Sequence, residues 1–181
     1  EAYLSGLEER IKNKKSVSSI SSVASFFVSR VDTAVDKLLE DKIKLESDPA
    51  AAALKNLLGK AGIANSKAAY AAFEKVFSSD RFKRLKLSGA QVQRPLWAST
   101  GTKNPQYSDV LYVEALMGPQ TVNTIPPPTL DAFREHGIAG DRIKEGFGDA
   151  LGSLKKLKEA GINLDQITKD LETAGVQSFS D

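Results

Sequence analysis

The stretch Ser22-Val23-Ala24-Ser25-Phe26-Phe27-Val28-Ser29-Arg30-Val31-Asp32 decides the fold class of this chain. Apolar and small polar residues alternate across residues 16–30, and the second half of that segment ends in a run of apolar side chains, which predicts a strand buried on both faces. From Val31 onward the apolar residues recur at helical spacing, and Asp32 and Thr33 are the expected caps of this helix. A strand that leads directly into a helix is typical of a βα unit.

Two further segments have the composition of buried strands. Residues 92–98 form one candidate, but proline is awkward inside a central strand, so we expect this strand to begin only at Pro95. Residues 121–125 form the other candidate, which three consecutive prolines at 126–128 bring to an end. Because the strand candidates alternate with helices of about 10–15 residues, the sequence predicts βαβ units and a parallel sheet.

Helical periodicity accounts for most of the remaining chain. Helices are predicted over residues 1–11, from 31, from 50, from a cap at Asn65 and Ser66, over 108–117 as a helix or turn, from Thr129 to about 137, over 147–160 and over 164–174. Residues 60–64 are predicted to be a short buried strand or connector, and the basic segments 12–15 and 81–84 to be solvated loops or helix ends. Three strands are few for about seven helices, so we expect further strands from upstream sequence or from a partner.

Composition limits the classes of protein to which the chain can belong. Its 181 residues are enough for one domain spanning residues 1–181, and its 41% hydrophobic content is that of a globular protein. A net charge of +2 gives no field of the kind that recruits nucleic acid, so no nucleic-acid partner is expected. No apolar run approaches the roughly 20 residues that cross a bilayer, and the first residues lack a signal-peptide pattern, so we expect no membrane partner and a cytoplasmic location.

The sequence also limits the chemistry of a site. It contains no cysteine, which excludes disulfides and thiolate metal sites, and its single histidine, His136, argues against a histidine metal cluster or a serine–histidine triad. No metal and no cofactor are therefore expected. His136 precedes Gly137 at the predicted end of a helix, where a cation interacts favourably with the helix dipole. The carboxylates of the predicted helices offer no evident pair for acid–base catalysis.

Two cations lie where predicted strands end. Arg30 follows the first strand and Lys103 follows the second, each among hydroxyl side chains. In a parallel barrel the ligand binds at the C-terminal ends of the strands, and two cations with hydroxyls there suit an anionic sugar phosphate. The alternative is that Arg30 forms a surface ion pair with Asp32, which would contribute little. Trp97, at the end of the second strand, is expected in the core rather than against a substrate.

Four motifs resemble those of transaldolases in their order and spacing. They are SVASFFVSRVD at residues 22–32, LWASTGTKNP at 96–105, DVLYVE at 109–114 and TVNTIP at 121–126. The first resembles the sixth-strand motif of that family, the second its seventh-strand loop, and the others the segments leading into and along the eighth strand. The resemblance runs essentially from Glu1 to Asp181 and is nearest to a bacterial subgroup that includes forms fused to a glucose-6-phosphate isomerase.

This resemblance implies an α/β fold of the class I aldolase type. The chain is expected to form part of a (β/α)8 TIM barrel, from about helix 5 to strand 8 plus the C-terminal helices, with the N-terminal half absent. Such enzymes of the pentose phosphate pathway transfer a dihydroxyacetone unit from sedoheptulose 7-phosphate to glyceraldehyde 3-phosphate, through a Schiff base on a fourth-strand lysine. Because that strand is not in this chain, the resemblance predicts no catalytic residue here and no activity of the chain alone.

The resemblance does assign three binding residues. Ser25 corresponds to a sixth-strand serine that lines the substrate near its phosphate end, and Arg30 corresponds to the phosphate-binding arginine of the same motif. Lys103 aligns where many transaldolases have an arginine, and a lysine keeps the charge but lacks the planar fork of the guanidinium. Sugar phosphates are therefore the expected ligands.

A half barrel exposes open sheet edges and apolar strand faces. We therefore expect the chain to associate with a second copy or with its missing N-terminal half. Two other functions stay open: a non-catalytic sugar-phosphate-binding half-barrel module, and a related fructose 6-phosphate aldolase. Fold similarity cannot separate these functions, so the site has to.

Overall fold

A computed structural model describes residues 1–180 of the chain, with side chains through residue 177. In chain order, the described elements are α1 (Ala2–Lys12), β1 (Ser22–Phe27), α2 (Val28–Ile43), α3 (Ala50–Lys55), α4 (Ala61–Phe77), α5 (Asp80–Leu87), β2 (Gln93–Ala98), α6 (Leu111–Leu116), β3 (Val122–Asn123), α7 (Pro127–His136), α8 (Phe147–Glu159) and α9 (Leu164–Ser180).

The strands of the described chain form one parallel sheet in the order β1-β2-β3. β1 and β2 pair along their whole lengths, from Ser22 opposite Gln93 to Phe27 opposite Ala98. β3 is shorter than predicted and pairs with β2 only through Val122 and Asn123. Parallel neighbours need long crossover connections, and here α2 to α5 form the first crossover and α6 lies in the second. The predicted parallel α/β arrangement is confirmed.

Helices α4 and α6 pack on one face of this sheet. Phe26 and Trp97 occupy paired positions on that face, and their ring centroids lie 5.6 Å apart. They join Tyr70 of α4 and Tyr112 of α6 in one apolar cluster. Trp97 is 1% exposed, and its Nε1 donates a hydrogen bond to the carbonyl oxygen of Leu116 at 2.9 Å. Trp97 is therefore a core residue, as predicted.

The opposite face of β1 is exposed, so the prediction of a strand buried on both faces is wrong. Burial alternates along the strand, and Val23 and Phe27 are 45% and 40% exposed. Ser25 lies between them on the same face, since successive side chains of a strand point to opposite sides. The cause is that α4 and α6 cover only the Phe26 face, whereas α9 approaches the other face only near the end of the strand.

Helix α2 begins at Val28, three residues before the predicted start at Val31, and Asp32 and Thr33 are not its caps. The backbone N–H of Ser29 donates to the carbonyl oxygen of Ser99 at 3.0 Å. A partner from the segment after β2 thus satisfies one of the free amides of the first helical turn, and no capping side chain is present.

Helix α4 likewise begins earlier than predicted, at Ala61, so residues 60–64 are mostly helical. Asn65 and Ser66 lie inside the helix rather than at its cap. The backbone N–H of Gly62 donates to the Oδ1 atom of Asp32 at 2.7 Å. Because this capping carboxylate comes from another helix, the local sequence does not reveal it.

Three further boundaries differ from the predictions. The basic segment 81–84 lies within the short helix α5, where Ser79 caps the first turn by accepting from the N–H of Phe82. Helix α7 begins at Pro127, a favoured first helical residue, rather than after a Thr129 cap. β2 begins at Gln93, so Pro95 lies inside the strand. The proline is tolerated there because β3 pairs only with Leu96 and Trp97, the two residues after Pro95.

A second apolar cluster brings α9 towards the sheet. Val35 and Leu39 of α2 are fully buried in it, together with Leu157 of α8. Leu171 of α9 packs against the same cluster. Helix α9 therefore lies beside α2, and one of its faces reaches the C-terminal end of β1.

Candidate functional site

Hydrogen bonds join the segments that follow the C-terminal ends of the strands. The N–H of Ser29, after β1, bonds to the segment after β2 as described above, and the N–H of Thr124, after β3, donates to a β2 carbonyl oxygen at 3.0 Å. The fully buried hydroxyl of Thr100 donates to Asn123 Oδ1 at 2.8 Å. The C-terminal strand ends, where the sequence predicts a ligand site, thus lie side by side.

A cavity of about 530 Å³ opens at the C-terminal end of β1. Ser25 and Arg30 both line it. One face of α9 forms another wall, through the side chains or backbone of Thr168, Leu171, Glu172, Gly175 and Val176. A cavity of this size is large enough for a small phosphorylated ligand.

The guanidinium of Arg30 is held over an aromatic ring of the strand that precedes it. Its Cζ lies 4.7 Å from the centroid of Phe27, which is a cation–π contact. Within residues 1–177, Arg30 forms no ion pair, so the alternative of a surface pair with Asp32 is wrong. Asp32 is instead buried against α4. Among these residues, the N–H donors of Arg30 therefore have no carboxylate partner.

Lys103 lies in a different cavity, of about 270 Å³, beside the first turns of α2. Thr33 and Asp36 of α2 line this cavity, together with Tyr107 from the segment of Lys103 itself. The structure therefore brings Ser25 and Arg30 together in one cavity and places Lys103 in the neighbouring one.

A buried polar cluster lies along this second cavity, and sequence reasoning missed it. Asp36 is 7% exposed, with Oδ1 accepting from the N–H of Gly59 at 3.0 Å and Oδ2 accepting from Tyr107 Oη at 2.7 Å. Asp32 is one turn earlier, and in the described part of the chain its Oδ2 has no hydrogen-bond partner. Burial raises the pKa of Asp32 to about 6, and burial together with Asp32 raises the pKa of Tyr112.

The sequence indicates the two aspartates of this cluster but not their partners. Asp32 and Asp36 are four residues apart, which places them on one face of a helix, and each directly follows a valine of the core. Aspartates at such positions are expected to be partly buried. Their partners, Gly59 and Tyr107, come from distant segments with no local pattern to indicate the contact.

The single histidine has a structural contact. His136 ends α7 as predicted, and its Nε2 lies 2.9 Å from Asp109 Oδ1. This hydrogen bond raises the pKa of His136. In the part of the chain that the structure describes, no cluster of histidine and carboxylate side chains is arranged to hold a metal ion. Nor does any described helix have the length and apolar character to cross a membrane.

The family model for transaldolase/fructose-6-phosphate aldolase matches residues 8–181. That match covers nearly all of the sequence. The chain belongs to the transaldolase/fructose-6-phosphate aldolase family.

Sequence identity to individual transaldolases supports this family assignment. The transaldolase of Mycolicibacterium smegmatis is 52% identical over 180 residues, which cover 99% of this chain and 47% of the relative. The transaldolase of Trichodesmium erythraeum is 44% identical over 181 residues, 98% of this chain and 48% of the relative. The transaldolase of Mycobacterium tuberculosis is 49% identical over 181 residues, which cover 99% of this chain and 47% of the relative. The chain thus spans about half the length of the transaldolases it matches.

The Schiff-base chemistry that the resemblance predicts needs a lysine nucleophile, so a buried lysine of this chain has to be considered. Lys67 of α4 is 8% exposed, and burial lowers its pKa. Its Nζ donates to the carbonyl oxygens of Arg142 and Glu145, and it does not line the cavity of Ser25 and Arg30. Lys67 therefore ties the segment before α8 to α4. That the catalytic lysine lies outside this chain stays a prediction.

Proposed function

We propose that this chain is the C-terminal half of a transaldolase, one unit over residues 1–181 that supplies the phosphate-binding side of a (β/α)8 barrel. The observation that carries this proposal is the cavity at the C-terminal end of β1, which Ser25 and Arg30 line in a chain 52% identical to a transaldolase. Ligands of parallel barrels bind at that end of the strands. A cytoplasmic location and a role in the pentose phosphate pathway belong to the same proposal.

Each of the three predicted residues has a distinct role in binding. Arg30 pairs with the phosphate through the planar, two-pronged geometry of its guanidinium. The hydroxyl of Ser25 hydrogen-bonds to the ligand in the same cavity. Lys103 adds a single positive charge from the neighbouring cavity, without the directional fork that an arginine would provide.

The complete enzyme transfers a dihydroxyacetone unit from sedoheptulose 7-phosphate to glyceraldehyde 3-phosphate. A lysine on a strand outside this chain forms the Schiff base with the ketose carbonyl. The residues of this chain hold the phosphorylated end of the substrate, and this keeps the carbonyl within reach of that lysine. The chain alone therefore binds sugar phosphates without turning them over.

The exposed face of β1 is the surface on which the rest of the barrel packs in this proposal. Val23 and Phe27 are apolar and exposed there, and β1 is an edge strand of the described sheet. Uncovered apolar faces and unpaired strand edges favour association. The partner of this face is the N-terminal half of the barrel, and in its absence a second copy of the chain.

A fructose 6-phosphate aldolase is the second candidate, because the family model covers both activities. The two reactions differ in the fate of the dihydroxyacetone unit, which an aldolase releases and a transaldolase passes to an aldehyde acceptor. A non-catalytic sugar-phosphate-binding module is a further alternative, since the residues of this chain are assigned to binding only.

A chimera tests the proposal by joining this chain to the part of the M. smegmatis transaldolase with which it does not align. We expect turnover that requires an aldehyde acceptor, and borohydride reduction with fructose 6-phosphate should label a lysine outside these 181 residues. Arg30→Gln should raise the KM for the phosphorylated donor about tenfold or more, since a hydrogen bond to a charged group contributes roughly 1.5–3 kcal/mol. Arg134→Gln is the matched control, because Arg134 is an exposed arginine of α7.

The other outcomes separate the alternatives. Release of free dihydroxyacetone without an acceptor would indicate the aldolase. A folded chimera that binds fructose 6-phosphate without any turnover would indicate the binding module. A borohydride label on a lysine of this chain, or equal effects of the two arginine variants, would contradict the proposed assignment of residues.

A further inference from the structure

Lys103 lies in the segment of residues 99–110, which connects β2 to α6 and contains neither helix nor strand. The start of the segment is fixed at the strand ends by the buried hydroxyl of Thr100. A cation on such a segment acts at a defined place only if the backbone around it is also fixed. The question is therefore which contact fixes the part that carries Lys103.

The contacts of Tyr107 answer this question. Its Oη donates to Asp36 Oδ2 at 2.7 Å, and its N–H donates to the carbonyl oxygen of Asn104 at 3.1 Å. The N–H of Gln106 donates to Asn104 Oδ1 at 2.9 Å, so residues 104–107 form a turn directly after Lys103. Tyr107 thus anchors the turn that immediately follows Lys103.

The ring of Tyr107 also has a close neighbour in the structure. It packs on Gly59, where an added Cβ would lie 2.8 Å from the ring carbon Cζ. Gly59 also has a φ of +68°, a conformation that side chains rarely adopt. Glycine at this position therefore leaves the space in which the ring of Tyr107 lies.

Asp36 is a rigid acceptor for this anchor. It is 7% exposed, and its second oxygen accepts from the N–H of Gly59. It belongs to α2, whose neighbouring Val35 is fully buried in the core. The same helix carries Arg30 in its first turn, so the hydrogen bond ties the segment of Lys103 to the helix of Arg30.

We propose that Tyr107 is a positioning residue, whose hydrogen bond to Asp36 holds residues 99–110 against α2 so that Lys103 and Arg30 act on one phosphorylated ligand. This inference rests on the proposed function, in which both cations bind phosphate. Loss of the Tyr107 hydroxyl lets the turn move, and Lys103 then no longer contributes at a fixed distance from Arg30.

The test is a titration of the 181-residue chain with inorganic phosphate, in which changes in the amide NMR shifts report binding. Affinities of the wild type, two single variants and the double variant form a double-mutant cycle. Lys103→Gln and Tyr107→Phe should each weaken binding about two- to fivefold, the range of a partly exposed charge pair. The double variant should bind no more weakly than the weaker single variant, because both substitutions remove the same contribution.

Two variants separate positioning from a general loss of stability. Asp36→Asn should bind phosphate no more weakly than the wild type, because its amide oxygen can accept from Gly59 while its Nδ2 donates to Tyr107 Oη. The serine of Asp36→Ser is too short to reach Tyr107, so this variant should weaken phosphate binding as Tyr107→Phe does. If Tyr107→Phe does not fold, Asp36→Ser takes its place in the test. Tyr3→Phe is the matched control, since Tyr3 Oη donates to the carbonyl oxygen of Gln91 and neither residue lines either cavity.

The failures of the two proposals can be told apart. Absence of phosphate binding, or an unchanged affinity in Arg30→Gln, would overturn the proposed function and this inference with it. If Lys103→Gln weakens binding while Tyr107→Phe and Asp36→Ser do not, only the positioning role is overturned. Additive effects of Lys103→Gln and Tyr107→Phe would overturn it as well.

Discussion

Arg30 and Asp32 lie two residues apart in α2, on roughly opposite sides of the helix, and their surroundings differ sharply. Arg30 lines an open cavity, whereas Asp32 is 2% exposed and binds the N–H of Gly62. The position of Arg30 could be predicted from the sequence, because it follows a recognisable strand. The place of Asp32 after a core valine indicates partial burial, but its partner could not be predicted, because that partner lies 30 residues along the chain.

The buried carboxyl of Asp32 predicts a pH dependence of stability. Burial raises its pKa from 3.8 to about 6, so the folded chain keeps a proton that the unfolded chain loses first. Its contribution to the free energy of unfolding is therefore full below pH 4 and is lost as the pH rises through 6. A shift of about two units corresponds to roughly 3 kcal/mol.

Asp32→Asn should remove this dependence. The unfolding free energy of the variant, relative to wild type, should rise between pH 4 and pH 7.5 by an amount on the order of 2–3 kcal/mol. Urea denaturation at a series of pH values measures this difference. Asp131→Asn, at an exposed position of α7, is the control for removing a carboxylate from the surface. A constant difference between wild type and Asp32→Asn would mean that this carboxyl titrates normally.

At the scale of elements, α2 and α4 approach each other closely beside the site. Gly62 lies at this crossing, where an added Cβ would come within 2.6 Å of the carbonyl oxygen of Val28 and 3.0 Å of Asp32 Oδ2. The backbones can approach only because position 62 has no side chain. The approach also brings Asp32 to the first turn of α4, which it caps.

Gly62→Ala should therefore destabilise the chain, by about 1–3 kcal/mol, as overpacked substitutions do. The matched control is Gly152→Ala in α8, where no atom lies within 4 Å of the added Cβ. That substitution should be neutral or stabilise by up to about 1 kcal/mol through helix propensity. Denaturation midpoints of the two variants provide the measurement, and equal midpoints would show that the crossing tolerates a methyl group.

The elements also show where prediction from sequence succeeds and where it stops. Alternating strands and helices predicted a parallel sheet, because the period of apolar residues reports burial directly. The starts of α2 and α4 were misplaced, because their first amides bond to Ser99 and Asp32 from other elements. The turn anchored by Tyr107 was missed for the same reason, since its partner is a distant aspartate.

For the whole molecule, the uncovered face of β1 is the dominant feature. Val23 and Phe27 are more exposed than large apolar residues of a sheet usually are. Exposed apolar strand faces were expected from the half barrel that the resemblance implies, although the sequence could not show which face would be open. How that face is covered in solution determines whether the isolated chain is a monomer.

We expect the chain to self-associate through this face at micromolar concentration. Val23→Lys should shift the population towards monomer, because a charge on the face opposes its burial. Leu45→Lys is the matched control, since Leu45 is 86% exposed in the segment after α2 and lies outside the sheet. Light scattering of the three proteins provides the measurement. A compact wild-type monomer would contradict the expected association.

The cavity at the end of β1 also has a consequence for folding kinetics. Its walls come from β1 and from α9, which lie near opposite ends of the described chain. Contacts between residues so far apart in sequence form slowly, because a long loop must close before they contribute any stability. We therefore expect the cavity to be among the last parts of the molecule to assemble. Until it does, the apolar residues of the strand stay open to non-native contacts, so we expect refolding to be prone to aggregation until a late stage.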